Sequence, residues 1–242
     1  MDLSGRVAIV TGGATGLGAE VCRQLAGAGA RVGVNWSHSG EAARELAAAL
    51  GGPSSAIAVQ ADVRDEAAVL AMVSSVETAL GAPVDLLVNN AGVTTYVPLG
   101  DLDSVSTQDW ERILGVNVIG AWHCVKAVAA GMRARGKGSV VNVASDAVFL
   151  LEGSSLPYVV SKVALVALTQ TLARALAPAV RVNAVAPGWM DTPWLDRYVP
   201  PDVAASLRRG EQPTVHVDAV AREILRLLAD DTATGQVTRM SE

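Results

Sequence analysis

The stretch R6-V-A-I-V-T-G-G-A-T-G-L-G18 decides how this chain folds. Arg6 to Val10 is a short apolar run with strand-like composition, and from about Leu17 to Ala28 the apolar spacing becomes helical. Between them glycines 12, 16 and 18 read G-x-x-x-G-x-G, not the commoner G-x-G-x-x-G. Such glycines let the backbone turn sharply and let a pyrophosphate reach the helix N-terminus, where free N–H groups and the helix dipole favour an anion. A tight strand–helix turn alone would also use them. Placed between strand and helix, they point to nucleotide binding, with Gly12, Thr15, Gly16, Leu17 and Gly18 in contact.

Working outward, the same alternation repeats. Arg31 to Asn35 reads as a second strand ending in N35-W-S-H-S-G40, followed by a helix from Gly40 to Leu50. An acidic residue at such a strand end would bond the adenosine ribose and favour NAD. Here Asn35 stands at the expected place, with Trp36, Ser37, His38 and Ser39 after it, so nothing repels a 2′-phosphate and NADP is preferred over NAD. No arginine is placed there as a clamp. A third strand, Ala56 to Gln60, precedes Asp62 and Val63. Asp62 is placed to accept from an adenine amino group, or to cap the helix that starts near Asp65. A fourth, Asp85 to Val88, runs into N89-N-A-G92, small residues suited to close passage of a cofactor, with Asn89, Ala91 and Gly92 as its contacts. Alternating strands and helices imply a parallel sheet covered by helices on both faces.

The chemistry gathers further on, in S139-V-V-N-V-A-S-D-A-V-F-L-L-E-G-S-S-L-P-Y-V-V-S-K162. An apolar strand, Val140 to Ala144, delivers Ser145 to its carboxyl end, where parallel sheets bind ligands. Tyr158 and Lys162 lie one turn apart on a helix running to about Ala177, hence on one face. A lysine there would pull the phenol pKa down from about 10 and suit it to general acid–base work. Taken alone, such a pair is more often a packed aromatic beside a solvated charge. Asn117 sits inside a helix expected from Thr107 to Ala134, a poor place for Asn unless it has a task. A strand from Arg181 to Val185 leads to P187-G-W-M-D-T-P-W194, with Pro187, Gly188 and Thr192 at the cofactor, Thr192 on the carboxamide. The proline-broken stretch from Trp189 to Gly210 reads as a lid. A helix from Asp218 to Ala229 and a strand near Val237 complete a single domain over residues 1–242.

Composition narrows the function classes. The net charge of −5, without a basic stripe, argues against nucleic acid as partner. Half the residues are hydrophobic, yet no run of about 18 apolar residues is seen, so no membrane partner is expected. The opening residues lack the pattern of a secretory leader, and two cysteines, Cys22 and Cys124, form no disulfide framework. Both features lead us to expect a cytoplasmic protein. The histidines have no ligand spacing, so no metal is expected.

Together T11-G-G-A-T-G-L-G18, Asp62, N89-N-A-G92, Asn117, Ser145, Y158-V-V-S-K162 and P187-G188 resemble the short-chain dehydrogenase/reductase family, in its single-domain branch and close to 3-oxoacyl-ACP reductase-like members. The resemblance covers nearly the whole chain. It departs after T234-G-Q, where members usually continue into a V-D-G-G-like tail. It implies a Rossmann-type doubly wound sheet of about seven strands and hydride transfer between NADP(H), or alternatively NAD(H), and a ketone or secondary alcohol. In that scheme Tyr158 is the general acid or base and Ser145 bonds the reacting oxygen. Lys162 lowers the Tyr158 pKa and holds the nicotinamide ribose, and Asn117 anchors a water leading from Lys162 to solvent.

Three rival readings stand beside it. A serine hydrolase lacks its G-x-S-x-G elbow. A non-catalytic nucleotide-binding regulator on the same fold would not need Asn117, Ser145, Tyr158 and Lys162 together. A dehydratase or epimerase on this scaffold is the third. An apolar set from Val148 to Leu151, with Trp189, Met190, Trp194 and Leu195, suits a hydrophobic ketone or 3-oxoacyl chain. The helices around Ile113–Met132 and after Tyr158 are apolar all round, which calls for a second partner beyond the sheet: a homodimer or homotetramer.

Overall fold

The central apolar runs become strands because their side chains are buried on both faces, and the helices between strands supply that cover. The computed structural model describes residues 2–241. Strand β1 (Val7–Val10) leads to α1 (Gly16–Gly27), β2 (Arg31–Trp36) to α2 (Gly40–Ala49), β3 (Ala56–Gln60) to α3 (Glu66–Leu80), and β4 (Val84–Asn89) to α4 (Thr107–Leu114). A π turn (Gly115–Gly120) joins α4 to α5 (Ala121–Ala134). Then follow β5 (Ser139–Val143), α6 (Ala147–Leu150), α7 (Leu156–Leu176), β6 (Arg181–Pro187), α8 (Pro193–Tyr198), α9 (Pro201–Arg208), α10 (Val217–Ala229) and β7 (Val237–Met240).

The strands form one seven-stranded sheet in the order β3-β2-β1-β4-β5-β6-β7, with every pairing parallel. This is the doubly wound Rossmann-type sheet. One face packs on α1, α2 and α10 through Val21, Leu25, Leu46, Ile224 and Leu228. The other packs on α3, α5 and α7 through Met72, Val76, Val128, Met132 and Leu172. Strand order reverses at β1, with β2 on one side and β4 on the other. A crevice therefore opens beyond the carboxyl ends of β1 and β4, the usual ligand site of such sheets.

Two expectations change, and a third gains detail. The helix expected from Thr107 to Ala134 is interrupted by the π turn, which holds Asn117. The site explains the interruption: a Cβ on Gly120 would lie 2.5 Å from Val63 Cγ2, so only glycine lets this turn close on the loop after β3. The stretch from Trp189 to Gly210, expected as a lid, is largely helical. It folds as α8 and α9 around a small cluster of its own, Leu195, Val199, Ala204 and Leu207. Finally, Thr107–Ala134 and Leu156–Leu176 are each long and apolar enough, by length and composition, to cross a bilayer, which no segment was expected to be. Each packs one side into the sheet core.

Candidate active site

The glycine loop is built by its neighbours. Thr11 Oγ1 accepts from the N–H groups of Asn90 and Ala91, both at 3.0 Å, and Asn90 Nδ2 donates to the carbonyls of Thr11 and Gly12, also at 3.0 Å. The end of β4 thus clamps the end of β1. A Cβ on Gly18 would collide with the Gly12 carbonyl oxygen and stand 2.6 Å from Asn90 Nδ2, so this helix can start so near the loop only with glycine there. Thr15, the N-cap of α1, makes no side-chain cap bond, and no acid stands in the first turn. The helix presents unspent N–H donors and its positive dipole end to the crevice. These features fit a pyrophosphate.

Above the loop lies a cleft of about 520 Å³, lined among others by Gly12, Thr15, Trp36, Asp62, Gly92 and Lys162. Asn35 departs from expectation. It is 2% exposed; its Oδ1 accepts from the Gly12 N–H at 3.2 Å, and its Nδ2 donates to the Ala61 carbonyl at 3.1 Å. Side chains alternate along a strand, so Asn35 shares the face of Gly33, where α3 packs closely. Its side chain ties the loop to the end of β3 and does not reach for a ribose. Asn35 still forms part of the cleft wall, followed by Trp36, Ser37, His38 and Ser39. Asp62 also differs. Arg64 grips both its oxygens, with Nη2 to Oδ2 at 2.6 Å and Nε to Oδ1 at 3.1 Å, holding the carboxyl below its usual range. The cap of α3 is Asp65, which accepts from the N–H groups of Ala67 and Ala68.

The structure brings Ser145, Tyr158, Lys162 and Asn117 together. Ser145 follows the carboxyl end of β5, and its Oγ accepts from the Ala147 N–H at 3.3 Å. Lys162 is 4% exposed and donates from Nζ to the Val143 carbonyl at 2.8 Å, with the Tyr158 ring centroid 5.6 Å from Nζ. Asn117 Oδ1 accepts from the Val93 N–H at 2.9 Å, and Nδ2 donates to the Val93 carbonyl at 3.0 Å and to Ser161 Oγ at 2.9 Å. It braces α7 against the loop after β4. Both amide protons are spent, leaving only a second lone pair on Oδ1 for the expected water.

Electrostatics also differ from expectation. Burial pushes the Tyr158 phenol up to about 12; the Ser145 hydroxyl opposes this, and Asp146 adds to it. Burial pushes Lys162 down to about 8. In the free protein the lysine does not bring the phenol toward ionisation, because desolvation disfavours the charged form of both groups. Thr192, expected at a carboxamide, caps α8 by accepting from the Trp194 N–H at 3.4 Å. Thr11, Asn90, Arg112 and Ser161 were not singled out from sequence. Thr11, Asn90 and Ser161 stood inside the quoted motifs; nothing in the chain marked Arg112.

The short chain dehydrogenase family model matches residues 6–201. The chain belongs to the short-chain dehydrogenase/reductase family. It is 42% identical over 236 residues to a granaticin polyketide synthase putative ketoacyl reductase 2 of Streptomyces violaceoruber, covering 96% of this chain and 92% of that protein. It is 34% identical to a 3-alpha-(or 20-beta)-hydroxysteroid dehydrogenase of Mycobacterium tuberculosis, covering 96% and 85%. Among solved structures, a 3-ketoacyl-(acyl-carrier-protein) reductase of Brucella melitensis complexed with NADH superposes with a TM-score of 0.88, at 29% identity, covering 98% and 97%. As a short-chain dehydrogenase/reductase, the protein is an NAD(P)-dependent oxidoreductase acting on a ketone or alcohol.

Proposed function

We propose that this enzyme reduces a ketone on a bulky, largely apolar skeleton, with NADPH as the preferred donor. The observation that carries this is the convergence of Ser145, Tyr158 and Lys162 beside the uncapped N-terminus of α1. When bound, the nicotinamide supplies the hydride. The loop from Gly12 to Gly18 would hold the pyrophosphate, and Lys162 with Gly92 would hold the nicotinamide ribose. Ser145 Oγ bonds the carbonyl oxygen and stabilises charge as it forms. Tyr158 then gives that oxygen its proton. A phenol at about 12 is fully protonated at neutral pH, the form that reduction needs. Lys162, at about 8, carries a proton at pH 7 that restores the phenol.

NADP(H) is favoured because residues 35–39 contain no carboxylate and Ser37, His38 and Ser39 offer donors to a 2′-phosphate. NAD(H) is the alternative, and the Brucella relative holds NADH. The apolar skeleton is supported by Trp189 and Met190 along the cleft. The names of the relatives, a polyketide synthase ketoacyl reductase and a hydroxysteroid dehydrogenase, agree in kind. The enzyme works as a homo-oligomer in the cytoplasm. Ile119 and Trp122 on the π turn and α5, with Val160 and Val163 on α7, are each more than 40% exposed. Covering them with a second copy by two-fold symmetry removes that apolar surface from water.

The test follows absorbance of NADPH and NADH with linear 3-oxoacyl thioesters, steroid ketones and small sugars. Faster NADPH oxidation with the bulky ketones is expected. Turnover of the sugars alone would overturn the substrate reading, and no cofactor oxidation with any ketone would favour a nucleotide-binding regulator.

A further inference from the structure

We infer that Trp194 is a gate seated where the nicotinamide end of the cofactor must go, and that cofactor binding swings it out together with α8 and α9. This rests on the seat for the nicotinamide ribose proposed above. A Cβ added at Gly92 would meet Asn117 Oδ1 at 3.5 Å, Lys162 Nζ at 3.7 Å and Trp194 Cη2 at 3.7 Å. The indole tip thus stands at the point where the buried lysine and the glycine turn converge. The rest of the indole is held by aromatic neighbours. Its centroid is 6.2 Å from the Tyr158 ring, tilted by 52°, and 4.5 Å from the Tyr198 ring. Lys162, Gly92 and Trp194 all line the cleft.

The segment that carries Trp194 is built to move as a unit. Leu195, Val199, Ala204 and Leu207 form a small cluster separate from the two large cores, with Trp189 and Val203 packed on it. Arg208 binds Asp191 at 2.9 Å and Asp196 at 2.8 Å, bonds made within the segment and at the surface. At one end Thr192 merely touches the glycine loop, lying 3.3 Å from where a Cβ on Gly16 would be. At the other the Val215 N–H donates to the Trp189 carbonyl at 2.7 Å. Rotating α8 and α9 disturbs these rim contacts, while Met190 and Val215 at the ends of the segment stay packed on the core that holds α1 and α10. A closed gate lowers apparent affinity by the fraction of molecules that are open. The adenosine half of the cofactor, seated near Trp36 and Asp62, does not meet the indole.

The test compares native protein with Trp194→Ala and Trp194→Phe, titrating NADPH and, separately, 2′,5′-ADP, which lacks the nicotinamide end. With a gate closed in most molecules, Trp194→Ala should bind NADPH about fivefold more tightly or better, with faster association by stopped flow. Its affinity for 2′,5′-ADP should not change, and Trp194→Phe should fall between. In native protein labelled with 5-fluorotryptophan, the resonance lost in Trp194→Phe should shift with NADPH and stay put with 2′,5′-ADP. Equal or weaker NADPH binding by Trp194→Ala, with native 2′,5′-ADP affinity and native circular dichroism, would overturn the gate alone. Failure of the native protein to bind either ligand would overturn the gate and the proposed function together.

Discussion

Lys162 should destabilise the cofactor-free protein, and replacing it with Met should reveal by how much. Its pKa in the fold is about 8 against an ordinary 10.5. Between those values the unfolded chain binds more protons than the folded one, so stability rises with pH across that window. Below pH 8 the full cost of burying the ammonium is present, about 3 kcal/mol from the size of the shift. Above pH 10.5 it has gone. Lys162→Met keeps the stem's packing but strands the Val143 carbonyl that Nζ now serves at 2.8 Å, a loss of about 1 kcal/mol. The variant should therefore be more stable than native by about 2 kcal/mol at pH 7 and less stable by about 1 kcal/mol above pH 10.5. Urea unfolding of both proteins at matched concentration, from pH 7 to 10.5 without cofactor, measures the difference. Subtracting the curves removes every other titrating group except those coupled to Lys162. A difference that does not change with pH would refute the buried-charge argument. Tyr158 acts in the opposite sense at higher pH: its raised pKa makes stability fall between pH 10 and about 12.

Cofactor choice should respond at Ser37, which lines the cleft, and not at Asn35, whose amide is spent inside. Ser37→Asp should shift the ratio of NADPH to NADH affinity toward NADH by at least tenfold in a fluorescence titration, and an unchanged ratio would remove the basis for the NADP preference. Trp122→Glu combined with Val163→Glu should dissociate the oligomer to a 24.9 kDa species by light scattering, whereas a native monomer at micromolar concentration would contradict the paired-helix argument. Thr169→Val breaks a buried chain in which Asn89 donates to Asn142 at 2.9 Å and Asn142 to Thr169 at 2.8 Å. It should cost about 1–3 kcal/mol in urea unfolding, and a neutral result would make that chain dispensable.

Much of this architecture is legible in the chain because parallel strands buried on both faces read as uninterrupted apolar runs. Val7–Val10 and Val84–Asn89 are buried throughout, and their ends fall within a residue or so of the apolar pattern. The gathering of Ser145, Tyr158 and Lys162 was legible too, since strand ends and helical spacing fix where side chains point. Other features depend on long-range contacts. The π turn at Asn117 is set by Val63 and Val93, far away in sequence. Asn35 and Trp36 face opposite sides of one strand, and a single residue decides which is spent inside the fold. The charge states of Tyr158 and Lys162 follow from burial, which pattern alone does not measure.

In the proposed cofactor-dependent ketone reduction, Tyr158 supplies the proton. This role is tested most directly by comparing native protein and Tyr158→Phe on the best ketone from the substrate panel. Turnover is read from NADPH absorbance, and NADPH affinity from fluorescence in the same samples. Turnover should fall by about 10²–10⁴, as expected when a positioned proton donor is lost, while NADPH affinity stays within about twofold of native. Turnover by Tyr158→Phe close to native, with affinity equally intact, would contradict that role.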